Sequence, residues 1–284
     1  MPRCYRLLWI FVLLGPLAVL PAVADAGVIL RTTTTYHAEK PPRTEVTSTK
    51  AHAGSLRIDV AKPGDGEAAE GDALHSTIFR GAFGDFLIVD HGDRVFTVLD
   101  DQAIKDLEAQ LQYTMLQLDR QMAELPPEQR RKMREALKGG EVKAEPEMVK
   151  TDKVEERGGL SCQLYEFRRG EELVRAVWVA PWDEVTGGKE LRAALEGMQG
   201  FNARLEEAFK SIKSEALGGA QVFDFGPNPF QGFDRFDGLP VHTVEYENGE
   251  PSFETSVVAT EEVELNQADF VPPSNYQRRS WAGE

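Results

Sequence analysis

From residue 28 to residue 100, apolar and polar side chains alternate in short runs broken by turn residues. Residues 28–36 are rich in Thr and branched side chains, and similar runs follow at 45–49, 56–60, 75–79, 86–90 and 94–99, which is the period and composition of β-strands. Lys40-Pro41-Pro42, Ala53-Gly54 and Asp90-His91-Gly92-Asp93 supply turn chemistry, the last between two short strands as a hairpin. Short strands joined by short turns predict an antiparallel meander rather than a parallel βαβ sheet. Residues 62–72 are Gly, Ala and acid without periodicity and read as a flexible loop. The acids Asp65, Glu67, Glu70 and Asp72 lack the spacing of a calcium loop and read as a solvated tip.

At Asp100-Asp101 the period changes. Ile104, Leu107, Leu111, Met115, Leu118, Met122 and Leu125 are spaced 3, 4, 4, 3, 4 and 3, which places them on one face of a helix of about six turns, with either Asp able to cap its start. Pro126-Pro127 ends this helix and can begin another over 128–137, because proline is tolerated in a first turn but not inside a helix. A second β pattern covers 148–155, 160–168 and 173–180, and the last of these is apolar on both faces, so it needs cover. Leu191, Leu195, Met198, Phe201, Leu205, Phe209 and Ile212 then form a second long amphipathic stripe bounded by Gly187-Gly188 and Gly218-Gly219. Strands at 241–246 and 253–262 close the pattern around Asn248-Gly249, and the polar tail from Ser274 reads as loose. Two strand groups, each followed by a long helix, fit one curved antiparallel sheet with helices across one face. Two stacked sheets would leave the helices without a surface to cover.

Composition changes the picture at the N-terminus. Arg3 and Arg6, the apolar run 7–14 and Ala24-Asp25-Ala26 stand in the order of a secretory signal. Pro16 and Pro21 interrupt the stretch, which argues against a retained anchor, and cleavage is expected after Ala26. No cysteine stands at the cleavage point to carry lipid. Removing residues 1–26 takes away Arg3, Arg6 and Asp25, leaving 258 residues with 30 basic and 46 acidic side chains, a formal charge of -16. The basic residues form no stripe, so nucleic acid is excluded as a partner class, and electrostatic attraction to anionic membranes is disfavoured. Cys162 is then the one remaining thiol, so no internal disulfide can form. Flanked by Leu160 and Leu164, it reads as a buried small apolar side chain rather than a reactive thiol.

Candidate chemistry adds little. The histidines at 37, 52, 75, 91 and 242 show no metal-ligand spacing with each other or with a cysteine, and no metal or other cofactor is expected. His91 with Asp90 and Asp93 is the densest group, and it sits where a hairpin must turn. There is no nucleophile elbow, phosphate loop or His-Glu-x-x-His, and Ser161-Cys162 after Gly158-Gly159 lacks a neighbouring base. What stands out is soft and apolar. Met115, Met122, Met133, Met148 and Met198 lie in or beside the helices, where thioethers can serve ordinary core filling or a surface that repacks around apolar guests. Phe223, Phe225, Phe230, Phe233 and Phe236 occupy a Gly, Pro and Asp-rich segment, and either plug a gap in the core or form an apolar lip for a partner or lipid.

Gly54-Ser-Leu-Arg-Ile-Asp59, the hairpin 86–99, Pro126-Pro127-Glu128-Gln129, Gly159-Leu-Ser-Cys162 leading to Ala176-Val-Trp-Val-Ala180, Gly238-Leu-Pro-Val241 and the closing Phe270-Val-Pro272 with Tyr276 occur in that order. Together they resemble the exported bacterial proteins grouped as domain of unknown function 4412. That family resembles the periplasmic lipoprotein carriers of the Lol type, a half-barrel of antiparallel strands with helices closing its concave side over an apolar cavity. The resemblance spans about 28–276, and the segments 62–72 and 223–236 depart from it. The implied fold is α+β: a curved antiparallel sheet (half-barrel) with two long helices covering the concave face, as one domain over 27–284.

The expected function is that of a periplasmic or secreted binding protein, not membrane-anchored after cleavage, that holds a lipid acyl chain or other apolar group between sheet and helices. Its expected lining is Leu107, Leu111, Met115, Leu118 and Met122 of the first helix, Trp178, and Leu195, Met198 and Leu205 of the second. The alternative is an envelope interaction module with a filled half-barrel that docks a partner protein through Phe223, Phe225, Phe230, Phe233 and Phe236. An enzyme ranks behind both, and no catalytic residue is assigned.

Overall fold

A computed structural model describes residues 26–61, 73–137, 145–210 and 235–280. Its strands are β1 (Ala26–Tyr36), β2 (Arg43–His52), β3 (Ser55–Ala61), β4 (Ala73–Arg80), β5 (Asp85–Asp90), β6 (Val95–Leu99), β7 (Glu147–Arg157), β8 (Leu160–Arg169), β9 (Glu172–Ala180), β10 (Leu239–Glu247), β11 (Glu250–Glu264) and β12 (Gln277–Arg279). They form one curved, unclosed sheet in the order β12-β6-β5-β4-β3-β2-β1-β11-β10-β9-β8-β7. Every neighbouring pair is antiparallel except β12 with β6. The helices are α1 (Asp101–Glu124), α2 (Pro127–Leu137) and α3 (Gly188–Lys210). The α+β class, the curved antiparallel sheet and the two long helices thus agree with the sequence pattern. Residues 1–25 of the expected signal peptide and the loop 62–72 lie outside the described residues, while Ala26, its expected last residue, is the first of β1.

Two-residue turns fix the register of three hairpins. Ala53-Gly54, Gly158-Gly159 and Asn248-Gly249 each have both φ angles positive, the conformation whose twist matches that of the flanking strands. Ala53 tolerates it less easily than glycine or asparagine, since its Cβ crowds the following carbonyl.

The register places the inner face of the sheet in rows. Val28, Ala51, Leu56, Phe79, Phe86 and Leu99 are cross-strand neighbours from β1 to β6, and all but the half-buried Phe86 are buried. The next row is Leu30, Thr49, Ile58, Thr77, Ile88 and Thr97, and the third is Thr32, Thr47, Val60, His75, Asp90 and Val95. In these two rows the β1 and β2 residues are buried, whereas from β3 to β6 all are half-buried except exposed His75.

The helix α3 covers the first row. It packs on β1, β2 and β3, and Leu191, Ala194, Leu195, Met198, Phe201 and Leu205 join the first row in one core cluster. At Gly197 an added Cβ would come 3.0 Å from Cε1 of Phe79, so helix and sheet are in close contact. The helix α1 lies elsewhere: it meets β6 and α3, and Ile104 ties its first turn into the core cluster. Asp100 is its cap, accepting from the Ala103 N–H at 2.8 Å. At its other end the Arg130 guanidinium donates to the carbonyls of Ala123 and Leu125, meeting acceptors that a helix terminus leaves open. Of the two long helices, α3 therefore covers the inner face and α1 stands at its β6 side.

The outer face has its own core. Ile78, Leu87 and Val89 are covered by Leu265 and Phe270, which belong to a C-terminal strap running over 265–280. A short 3-10 helix (Gln267–Phe270), closed by a capping box between Asn266 and Asp269, seats Phe270 against the His52 ring. The strap ends as β12. The tail expected to be loose from Ser274 is therefore ordered through Ser280, because it finds a sheet edge at β6 that no local pattern announces.

Candidate functional site

The structure divides the nine expected lining residues. Leu195, Met198, Leu205 and Trp178 lie in the main core cluster, against protein side chains. On α1, Leu107 and Met122 are buried, while Leu111, Met115 and Leu118 are half-buried, with Tyr113 and Leu116 exposed. Beneath α3 the side chains pack on the sheet, and the rest of the second and third rows is half-buried: Ile58, which touches the edge of that core, Val60, Ile88 and Val95, interspersed with Thr77, Thr97, Asp90 and exposed His75. At the deep end of those rows, the hydroxyls of Thr32 and Thr49 are buried with no protein hydrogen-bond partner among the described residues. Beside the first turns of α1, a groove of about 360 Å³ runs between Leu107, Asp106 and Arg278.

Phe236 is the one member of the Phe-rich segment among the described residues. It is half-buried and packs edge-on against Tyr165 and Phe167, capping a small apolar cluster with Val177 and Val179. Phe223, Phe225, Phe230 and Phe233 lie outside the described residues, as does Ile212, while Phe209 and Met133 fall where only the backbone is described.

Two polar networks assemble from residues far apart in sequence. In the first, Glu254 lies between His37 Nε2 at 3.2 Å and His242 Nε2 at 3.7 Å, and His242 Nδ1 is 2.7 Å from Ser256 Oγ. The Trp178 ring lies against His242, its N–H donates to Glu155, and the Arg157 guanidinium lies over its face. Burial is the main cause that pushes His242 below the usual imidazole range, and Arg157 adds to it against the opposing pull of Glu254. The 3.7 Å approach is too long for a hydrogen bond, so Glu254 bonds His37 and only approaches His242, and the group ties β7, β9, β10, β11 and the residue after β1 together. Among the described residues, no three His, Cys, Asp or Glu side chains are grouped to hold a metal ion.

The second network crosses the outer face. Arg57 Nε donates to both oxygens of Asp59 at 2.8 and 3.0 Å. Ser76 donates to the same carboxylate. Since the single hydroxyl proton of Ser76 is committed to Asp59, its oxygen accepts from His91 Nε2 at 2.6 Å, which leaves His91 Nδ1 to accept from the Tyr276 hydroxyl at 2.9 Å. Burial, then Arg57, holds His91 below the usual imidazole range. The turn at 90–93 is present, with Asp90 Oδ1 accepting from the Asp93 N–H at 2.9 Å, and that bond keeps the Asp90 carboxyl low. His91 is thus both a turn residue and a link. The sequence signals this only through the position of Tyr276, since hydrogen-bond partners 185 residues apart leave no periodic trace.

Cys162 is fully buried in the core cluster, and burial raises its thiol. Iodoacetamide at pH 8 should leave it unmodified in the native protein and alkylate it fully in 6 M guanidinium, as intact mass would record. Native modification at a comparable rate would show that the core around it opens.

No family model matches the chain, and no curated protein matches it. Among solved structures, two crystal forms of PNGF-II align with 91% of this chain at 9% identity and TM-scores of 0.38 and 0.36. The chain spans only 32% of the length of PNGF-II. A domain described as an outer membrane lipoprotein-sorting protein domain, from Vibrio parahaemolyticus, aligns over 86% of this chain and 88% of its own length, at 9% identity and a TM-score of 0.24. Likenesses this distant carry no argument. Among the described residues, no helix is long and apolar enough to cross a membrane.

Proposed function

We propose that this chain is an exported binding protein that holds an acyl chain or similar apolar group on the inner face of its sheet, in the part that α3 leaves uncovered. The observation that carries the reading is the half-buried row Ile58, Thr77, Ile88 and Thr97 across β3 to β6, flanked by Val60 and Val95 of the next row, where His75 and Asp90 stand between them and set a polar border. The half-buried α1 residues Leu111, Met115 and Leu118 add soft surface that can adapt to a guest. The packed α3 residues Leu195, Met198 and Leu205 support that floor from the core. Export rests on the signal-like pattern of residues 1–26.

Magnitude sets the class of ligand. Each buried methylene contributes about 0.8 kcal/mol, association costs about 4 kcal/mol or more, and micromolar affinity needs about 8 kcal/mol net. Roughly fifteen methylenes are therefore required, a long chain rather than a short acid.

The test is native mass spectrometry of protein purified from the periplasm, together with titration of a fluorescent long-chain fatty acid. Wild type should carry a lipid mass and bind the probe, and Ile58→Glu with Ile88→Glu should lose both while keeping its thermal transition. Absence of bound lipid and of probe uptake, or unchanged binding by the folded double variant, would sink the proposal. It would leave the filled half-barrel as an interaction module, the reading that the dense packing beneath α3 favours for that half of the sheet.

A further inference from the structure

We infer that the distal part of the C-terminal strap, from Val271 to Ser280, is a pH-sensitive latch on the outer face and the β6 edge, with His91 as its catch. The strap has two anchors of different chemistry. The proximal one is apolar: Leu265 and Phe270 are buried against Ile78, Leu87 and Val89, and Arg57 Nη1 donates to the Asp269 carbonyl at 3.0 Å. The distal one is mixed: the Tyr276 ring packs at the margin of the same outer-face cluster, and its other ties are polar. Tyr276 reaches His91, the Gln277 N–H donates to the Arg94 carbonyl at 3.0 Å, and β12 pairs with β6 over three residues. Between the anchors, Pro272 and Pro273 offer no backbone donor, and Val271 is exposed.

The two ion pairs at the distal end are long and exposed, Arg278–Asp100 at 3.9 Å and Arg279–Asp93 at 3.5 Å, so they contribute little. The Tyr276–His91 contact is the hydrogen-bonded side-chain tie of the distal strap that contains a titratable imidazole. Its proton arrangement requires neutral His91, because Asp59 takes the Ser76 proton and Ser76 takes the Nε2 proton. A second proton on Nδ1 points at the Tyr276 oxygen, forces the phenol to turn its own proton away, and leaves a half-buried imidazolium. Arg57 of β3 and His75 of β4 oppose that charge, and Asp59 of β3 and Asp90 of β5 favour it. Undocking exposes His91 and removes the strap's share of its burial, which raises its pKa toward the ordinary range, while Arg57 and Asp59 stay beside it. The docked value lies lower, so docking is strongest above the undocked value and weakens as pH falls from there through the docked value.

Hydrogen exchange of the full chain tests this, with rates corrected for the intrinsic pH dependence of amide exchange. Between pH 7.5 and 5.0, the protection of residues 274–280 should fall roughly threefold or more, while β1 and β9 keep theirs. His91→Gln places an amide donor toward Ser76 and an acceptor toward Tyr276 without a titrating group, and should abolish the pH dependence. Tyr276→Phe should lower protection at both pH values. In wild type, the loss should begin above the titration of His91, followed by its imidazole nitrogen shifts, and level off once pH falls below that titration, a readout that does not depend on any variant folding. Protection that is constant with pH, a pH dependence that survives His91→Gln, or a loss that continues unchanged well below the His91 titration overturns the latch. None of these outcomes depends on whether a lipid binds.

Discussion

Phe201→Ala is expected to destabilise the protein by about 3–5 kcal/mol, read as a lower urea midpoint with an unchanged slope. The ring is 1% exposed and sits on α3 at 4.6 Å from Phe86, which in turn lies 5.2 Å from Phe79. Truncation therefore removes the ring's transfer energy and leaves a cavity where α3 meets the first row of the sheet, which the neighbouring Met198 and Arg204 side chains can fill only in part. Phe201→Leu keeps most of the volume and should cost less than about 1.5 kcal/mol. Because single domains are stable by only about 5–15 kcal/mol, the alanine variant should also show faster alkylation of Cys162, which shares the cluster. A cost below about 1 kcal/mol would mean that the interface beneath α3 is loose, and would restore Leu195, Met198 and Leu205 as ligand-lining residues.

Asp59→Ala should be comparably damaging, at about 3–5 kcal/mol, because it removes one partner of a largely buried ion pair and leaves the other charge uncompensated. The side chains of Arg57 and Asp59 are only 16% and 11% exposed, and Asp59 also receives the Ser76 proton. Its loss frees that hydroxyl to donate to His91 Nε2, which moves the imidazole proton to Nδ1 and reverses the bond to Tyr276. Two effects separate this from a simple loss of charge. Arg57→Ala with Asp59→Ala should cost clearly less than the sum of the single variants, and Asp59→Ala should reduce amide protection in the strap beyond its global effect. Additive single costs with a normally protected strap would contradict the linked network.

The elements were largely legible in the sequence. Alternation located the strands, and the 3-4 spacing located α1 and α3, because each side chain's exposure in a regular element follows from its position on the period. Asn248-Gly249 and Ala53-Gly54 were readable as turns for the same local reason. The buried thiol of Cys162 was also legible, from its apolar neighbours in a strand. The division of the apolar stripes was not. Leu195 and Leu111 occupy equivalent positions in their helical patterns, yet Leu195 is fully buried and Leu111 half-buried, since α3 lands on β1 to β3 and α1 stands by β6. Periodicity says which face of a helix is apolar and is silent about what meets it.

The polar networks were further out of reach. Arg57, Asp59, Ser76, His91 and Tyr276 come from β3, β4, the turn after β5 and the strap, and only the register Asp59–Ser76 together with the path of the strap brings them into hydrogen-bond distance. The tail after Ser274 looked loose because its polarity was judged against water, when its backbone has β6 as a partner. By itself, then, the sequence determined the class of the longer elements, the signal-like start, the acidic balance and Cys162 as the one cysteine beyond that start, all properties of local pattern and composition. Tertiary structure alone decided which apolar residues are core, which part of the inner face stays uncovered and which histidine holds the strap. Those outcomes depend on contacts between residues far apart in the chain, and no local energy term specifies them.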